Sequence, residues 1–354
     1  MKSFVPNFSS LRTRIVVLSA AFSLFAAAAV IWLNEVKATE LAETRAQEQL
    51  SDEAQKIGFR LEAALENAAA DARFAARTPP IGGIIRSSRN DGIDPFDGST
   101  ETIWRDRLES IFESMMSVRP DYDQIRFISF DNNGSELVRV ERVADRTFIV
   151  PEERLQQKGD EPYVQAALGF RTGEVLMVPI TNNRENGVPD PMGSPMIRAV
   201  VPVADEAGQK YGLVVINIRA DALFEHVLEK IDILYPAYIV DKSGDYFYFD
   251  PVRKLGTFEF YKDRSSEVDD LLSAILAGST PGSDIASVFH LSGIGNSDGL
   301  KLDAVVTGDA RVRRTTAAIL SNEVVHDVLA KLLAHVHDVM RHAQCLADAP
   351  SVLD

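Results

Sequence analysis

One cysteine, Cys345, stands in 354 residues, so no disulfide can form within the chain. Positive charge is scarce too: 37 Lys and Arg residues face 52 Asp and Glu, a net charge of −15. Such a surface repels phosphate backbones and anionic headgroups, which argues against nucleic acid and leaves small anions only a locally basic pocket. Catalytic signatures are missing as well. There is no Walker loop, no H-E-x-x-H pair and no kinase ATP-binding sequence. The Gly293-x-Gly295 pair runs into Asn-Ser-Asp-Gly and reads as a loop, not a nucleotide cradle. The chain as given is therefore expected to be no enzyme and to hold no cofactor or metal.

Long apolar runs are missing with one exception. Residues 15–33, IVVLSAAFSLFAAAAVIWL, hold no charge, proline or glycine. As a helix, 19 residues reach about 28 Å, close to the hydrocarbon thickness of a bilayer. Lys2, Arg12 and Arg14 precede the run, while Glu35, Lys37, Glu40 and Glu43 follow it. That asymmetry predicts an inner-membrane anchor with residues 1–14 cytoplasmic and the bulk of the chain periplasmic. A cleaved signal peptide is the rival reading, although its apolar core would span about 7–15 residues. No later stretch has 18 apolar residues. Either a signal returns through this one helix in a dimer, or the chain is the sensing half of a longer protein.

From residue 34 to 78 the sequence predicts a long amphipathic helix, with Leu41, Leu50, Ile57, Leu61, Leu65 and Ala69 inward and Gly58 its only glycine. It packs on its own domain or pairs with its copy in a homodimer. Thr78-Pro79-Pro80 stops it, and a Gly- and Asp-rich loop with one short helix follows. Ser99-Thr100-x-Thr102 opens a helix over 101–118, with Ile103, Leu108, Ile111, Phe112 and Met115 inward, and Pro120 ends it.

A β-rich unit comes next. Strands 124–131 and 135–142 flank Asn132-Asn133-Gly134, a strong hairpin signal. A helix over 163–168, a strand over 174–180, and a hairpin of 196–204 with 211–218 complete five strands. After a helix over 220–234 the design recurs: ISFDNNGSELVRV and YIVDKSGDYFYFD share an apolar strand, an Asp, a polar turn with Gly and a return strand. Asp131, Asp241 and Asp245 are read as turn residues capping their own backbone. A helix over 268–276 and strands over 285–291 and 302–307 fill the second unit. The chain then turns helical, with His326, His335, His337 and His342 crowded together. Val339 and Arg341 occupy the positions four beyond His335 and His337, so the helical pairing of metal sites is not met. That helix reads as packing with a solvated face; weak metal binding through Asp338 and a phosphoacceptor at His326 are the alternatives.

The fold class is thus α+β: an N-terminal transmembrane helix, a long helix, two tandem PAS-like antiparallel-sheet modules over 79–222 and 223–310, and a C-terminal helical tail over 311–354. This order resembles the double-Cache extracytoplasmic sensor regions of bacterial histidine kinases, diguanylate cyclases and chemoreceptors. The phrases TPPIGGIIRSSRNDGIDPFDGSTETIWRDRLESIF, RPDYDQIRFISFDNNGSELVRVER and LQQKGDEPYVQAALGFRTGEVLMVPITNNRENG carry the resemblance. It implies a small-molecule ligand in the membrane-distal module, an anionic one being a candidate, and a two-component or cyclic-di-GMP output that this chain does not contain. The candidate ligand residues are Arg126, Glu136, Arg139, Tyr163, Asn182, Arg184 and Arg198, since a guanidinium clamps a carboxylate with paired hydrogen bonds. Strand parity alone leaves Arg126 and Arg139 free to face solvent instead. The amino-acid-binding subset carries a Trp-Tyr pair where this chain has Phe127-Ile128, so no amino-acid ligand is implied. A membrane-anchored periplasmic hydrolase and a partner-binding anchor without ligand are the competing readings.

Overall fold

The computed structural model describes residues 11–185, 187–189, 194–231, 235–242, 244–259, 285–291 and 300–308. The expected helix 268–276, the Gly293-x-Gly295 loop and the histidine-rich tail lie outside them. The chain divides into two compact units, and both sheets, end residues apart, fall in the one that begins at Leu50.

Helix α1 (Leu11–Ala75) is unbroken for 65 residues. Leu50, Ile57, Leu61 and Leu65 are buried, as expected, but Leu41 is exposed. The buried stripe runs through Ala38, Ala42, Ala46 and Leu50 at a spacing of four, which leaves Leu41 off the face. Among the described residues no helix is long and apolar enough to cross a membrane, so the structure does not support the crossing expected at residues 15–33. Gly58 has a packing reason: a Cβ there would collide with the ring of Phe289, which meets Phe59 edge to face at 5.0 Å.

Thr78-Pro79-Pro80 does more than stop α1. The two prolines start α2 (Pro79–Ser88), where a first-turn residue needs no N–H partner. In α3 (Glu101–Val118) the Thr100 hydroxyl accepts from the Ile103 N–H at 3.4 Å. Its buried face is Trp104, Leu108, Phe112 and Met116; Leu108 and Phe112 are buried as expected, while Ile103 is exposed and Ile111 and Met115 are half-buried. Trp104 sets this face by lying against Gly83 of α2, where a Cβ would strike the indole.

The first sheet holds β1 (Tyr122–Ser129), β2 (Glu136–Val143), β3 (Arg146–Ile149), β4 (Leu176–Asn182), the small ribbon strands β5 (Arg184–Glu185) and β6 (Val188–Pro189) forming a separate pair, then β7 (Pro195–Ala204) and β8 (Lys210–Arg219). Its six strands run β3-β2-β1-β8-β7-β4, one more than expected, because the exposed edge strand β3 has no alternation to betray it. Asn132, Asn133 and Gly134 are all left-handed (φ 51°, 58° and 73°), which explains two asparagines and a glycine in the β1–β2 turn. Helix α4 (Pro162–Ala167) covers one face, and α3 lies against β1, β2 and β3.

Helix α5 (Ala220–Glu229) leads to β9 (Ala237–Asp241), β10 (Tyr246–Asp250), β11 (Leu255–Glu259), β12 (Ile285–His290) and β13 (Leu302–Gly308). They run β11-β10-β9-β13-β12. That is the order of the first sheet without β4, so the internal repeat extends to topology. In the second turn Asp241 Oδ1 accepts from the Asp245 N–H at 3.1 Å. The first turn corrects the expectation: Ser135 N–H donates to the backbone carbonyl of Asp131 at 3.3 Å, and no carboxylate cap forms at Asp131 or Asp245 among the described residues.

Candidate ligand-binding site

Two rungs of the first sheet set the site. One crosses Glu141, Gln124, Asn217, Arg198 and Val178; the next crosses Arg139, Arg126, Val215, Val200 and Leu176. Side chains two apart on a strand share a face, so Gln124, Arg126, Arg139, Asn217 and Arg198 all project to one side. Beyond them that side turns apolar, where Ile128, Leu213, Val215 and Val200 pack under Tyr163 and Val164 of α4. The register thus decides what parity could not. Arg126, Arg139 and Arg198 are at most 5 % exposed and do not face solvent.

Each cation has a distinct arrangement. Arg126 Nε lies 3.1 Å from Glu136 Oε1, and its Nη atoms reach the Tyr163 hydroxyl at 3.4 Å and Gln124 Oε1. Glu136 also accepts from the Gln156 N–H at 2.9 Å. Arg139 donates to Glu141 at 2.6 Å, with Glu136 Oε2 at 3.8 Å, and Arg154 shares Glu141. Arg198 differs. It donates to Thr181 Oγ1 and, at 3.3 Å, to the Asn182 carbonyl, and it lies 5.5 Å from the Tyr163 ring centroid. No carboxylate pairs with it among the described residues. Burial pulls its pKa down to about 10, so it stays charged at neutral pH. Burial likewise raises the Tyr163 phenol, against the pull of Arg126 and Arg198.

Five of the seven expected residues, Arg126, Glu136, Arg139, Tyr163 and Arg198, come together here. Asn182 contributes its backbone carbonyl rather than its side chain. Arg184 stands at the rim, 42 % exposed, turned to Glu161 at 3.6 Å and the Gly187 carbonyl at 2.6 Å. Sequence reasoning missed Gln124, Lys158, Thr181, Asn183 and Asn217. Asn217 carried a signal, being the one polar side chain inside the buried run of β8. Its Nδ2 donates to Gln124 at 3.1 Å and Asn183 at 3.4 Å. Lys158 is 2 % exposed and donates to the Arg184 carbonyl at 2.9 Å, tying the loop before α4 to β5. Arg198 Nε and Asn217 Oδ1 are among the buried atoms that have no hydrogen-bond partner. One lacks an acceptor and the other a donor.

Residues 96–265 match the bacterial histidine kinase sensor domain. The resemblance to Cache-type sensors holds in the structure as well. The extracellular domain of a histidine kinase, vpHK1S-Z8, aligns with a TM-score of 0.57 at 16 % identity, covering 80 % of this chain and 96 % of that one. A domain of a sensory box/GGDEF family protein from Vibrio parahaemolyticus aligns with 0.56 at 15 % identity, over 78 % and 99 %. The ligand-binding domain of the Campylobacter jejuni chemoreceptor Tlp3, solved with L-valine, aligns with 0.50 at 11 % identity, over 78 % and 97 %. No curated protein matches the sequence. Within the matched residues, the polar rungs lie on β1, β2, β7 and β8.

Proposed function

We propose that this chain is an extracytoplasmic sensor that holds a small anionic molecule against Arg198. The carrying observation is a buried guanidinium with no carboxylate partner among the described residues, an open Nε, and the open Asn217 Oδ1 on the neighbouring strand. A ligand carrying both a carboxylate-type acceptor and a hydrogen-bond donor answers both atoms. Arg126, Arg139 and Tyr163 form the floor, and Lys158 with Arg184 holds the rim. In this reading 79–222 is the membrane-distal module and 223–310 the proximal one. Residues 15–33 anchor the chain in the inner membrane, a homodimer forms along α1, and the output is of two-component or cyclic-di-GMP type. The exposed Leu18, Phe22, Phe25 and Trp32 on that stretch of α1 support the anchor.

A thermal-shift screen of the full chain against small carboxylates and related metabolites tests the site. At least one compound raises the unfolding midpoint, and Arg198→Ala removes the rise. Equal stabilisation of the variant, or none of the wild type, defeats the reading. An alkaline phosphatase reporter fused after residue 78 tests the anchor; an inactive reporter, or an active one released from the membrane fraction, would sink it.

A further inference from the structure

A second cleft, of about 380 Å³, opens between α1, the turn from α3 into β1, and α5. Four basic residues line it, Arg60, Arg119, His226 and Lys230, against one carboxylate, Asp121. That balance reverses the −15 of the whole chain. Arg119 is committed to Asp71, whose Oδ2 accepts its Nε at 2.9 Å and the Tyr122 hydroxyl at 2.7 Å. Arg60 and Lys230 are exposed and form no ion pair among the described residues. Lys230 Nζ instead lies 2.7 Å from His226 Nε2, two basic groups held side by side at the C-terminal end of α5. The wall behind them is fixed, since Arg142 donates to the carbonyls of Met116, Arg119 and Tyr122.

From these groups we infer a second ligand site, for a free oxyanion of the phosphate or carboxylate class. An oxyanion answers the ammonium and guanidinium charges directly, and the cleft has the room for it. Arg60 from α1 and Lys230 from α5 are its ligands, with His226 beside Lys230. The occupant joins α1 to the helix that leads from the first sheet to the second. This site is separate from the one at Arg198, and its elements do not overlap the polar rungs.

The test is calorimetric titration of the full chain with inorganic phosphate and with citrate at fixed ionic strength. Saturable binding of one or both is expected, weakened at least tenfold by Arg60→Ala combined with Lys230→Ala and unchanged by the exposed control Arg253→Ala. Both substituted side chains are exposed, and circular dichroism checks that the variant folds. Absence of saturable heat overturns the inference, as does full affinity in the double variant. A third arm uses phosphatidylglycerol vesicles. Binding to vesicles without binding to either free anion also overturns it.

Discussion

Arg126 and Arg139 stand directly opposite each other across the β1–β2 ladder, both buried. Like charges so placed repel. Glu136 lies between them, 3.1 Å from one guanidinium and 3.8 Å from the other. Glu136→Gln therefore leaves two opposed buried cations short of a counter-charge, and is expected to cost about 3 kcal/mol. Urea denaturation of the variant checks this; a loss below about 1 kcal/mol would mean that water or other groups already screen the pair.

Arg198 gives the opposite result. Its charge is buried without a carboxylate, so Arg198→Met is expected to leave the unliganded chain as stable as before or to stabilise it by about 1 kcal/mol. The same change abolishes stabilisation by ligand. Arg126→Met, which strands Glu136, destabilises instead. Paired melting curves with and without the screening hit separate the two outcomes.

Asp94 predicts an acid limb. The Arg86 guanidinium, bonded at 2.8 and 3.0 Å, holds its carboxyl down to about 2 from the usual 3.8. A depressed folded pKa contributes stability that is present above the unfolded value and lost as pH falls through the folded one. The chain should lose stability between pH 4 and pH 2, and Asp94→Asn should flatten that slope. Denaturation midpoints at pH 5 and pH 2.5 for both proteins decide it.

Gly83→Ala forces a methyl against the Trp104 indole. We expect a loss of about 2 kcal/mol from overpacking, with Trp104→Leu restoring part of it. Tryptophan fluorescence during unfolding reports the contact directly. Full additivity of the two changes would mean that α2 simply moves away.

Where backbone conformation was at stake, the residues could be read directly. Three left-handed positions in a row need Asn-Asn-Gly, and a tandem Asp-turn-strand phrase announced two sheets of one topology. What escaped depended on register. Neither face of β1 meets solvent, so alternation could not tell Arg126 from Phe127, and only the neighbouring strands align it with Arg198. In α3, Leu108 and Phe112 were legible, but Ile103 and Trp104 are both apolar, and the gap at Gly83 chose between them. Lys158 sits in an irregular loop, where no period exists to show that it turns inward. The edge strand β3 is half polar and mostly exposed, so nothing in its composition asks for a sheet.

The glycine at 58 has one more consequence. Phe289 fills the volume that any side chain there would need. Turning α1 about its axis brings a neighbouring residue, with its Cβ, against that ring, and sliding it does the same. The helix is therefore toothed to the second sheet at this point. Displacement of α1 here would drive a side chain into the Phe289 ring unless β12 moved with it.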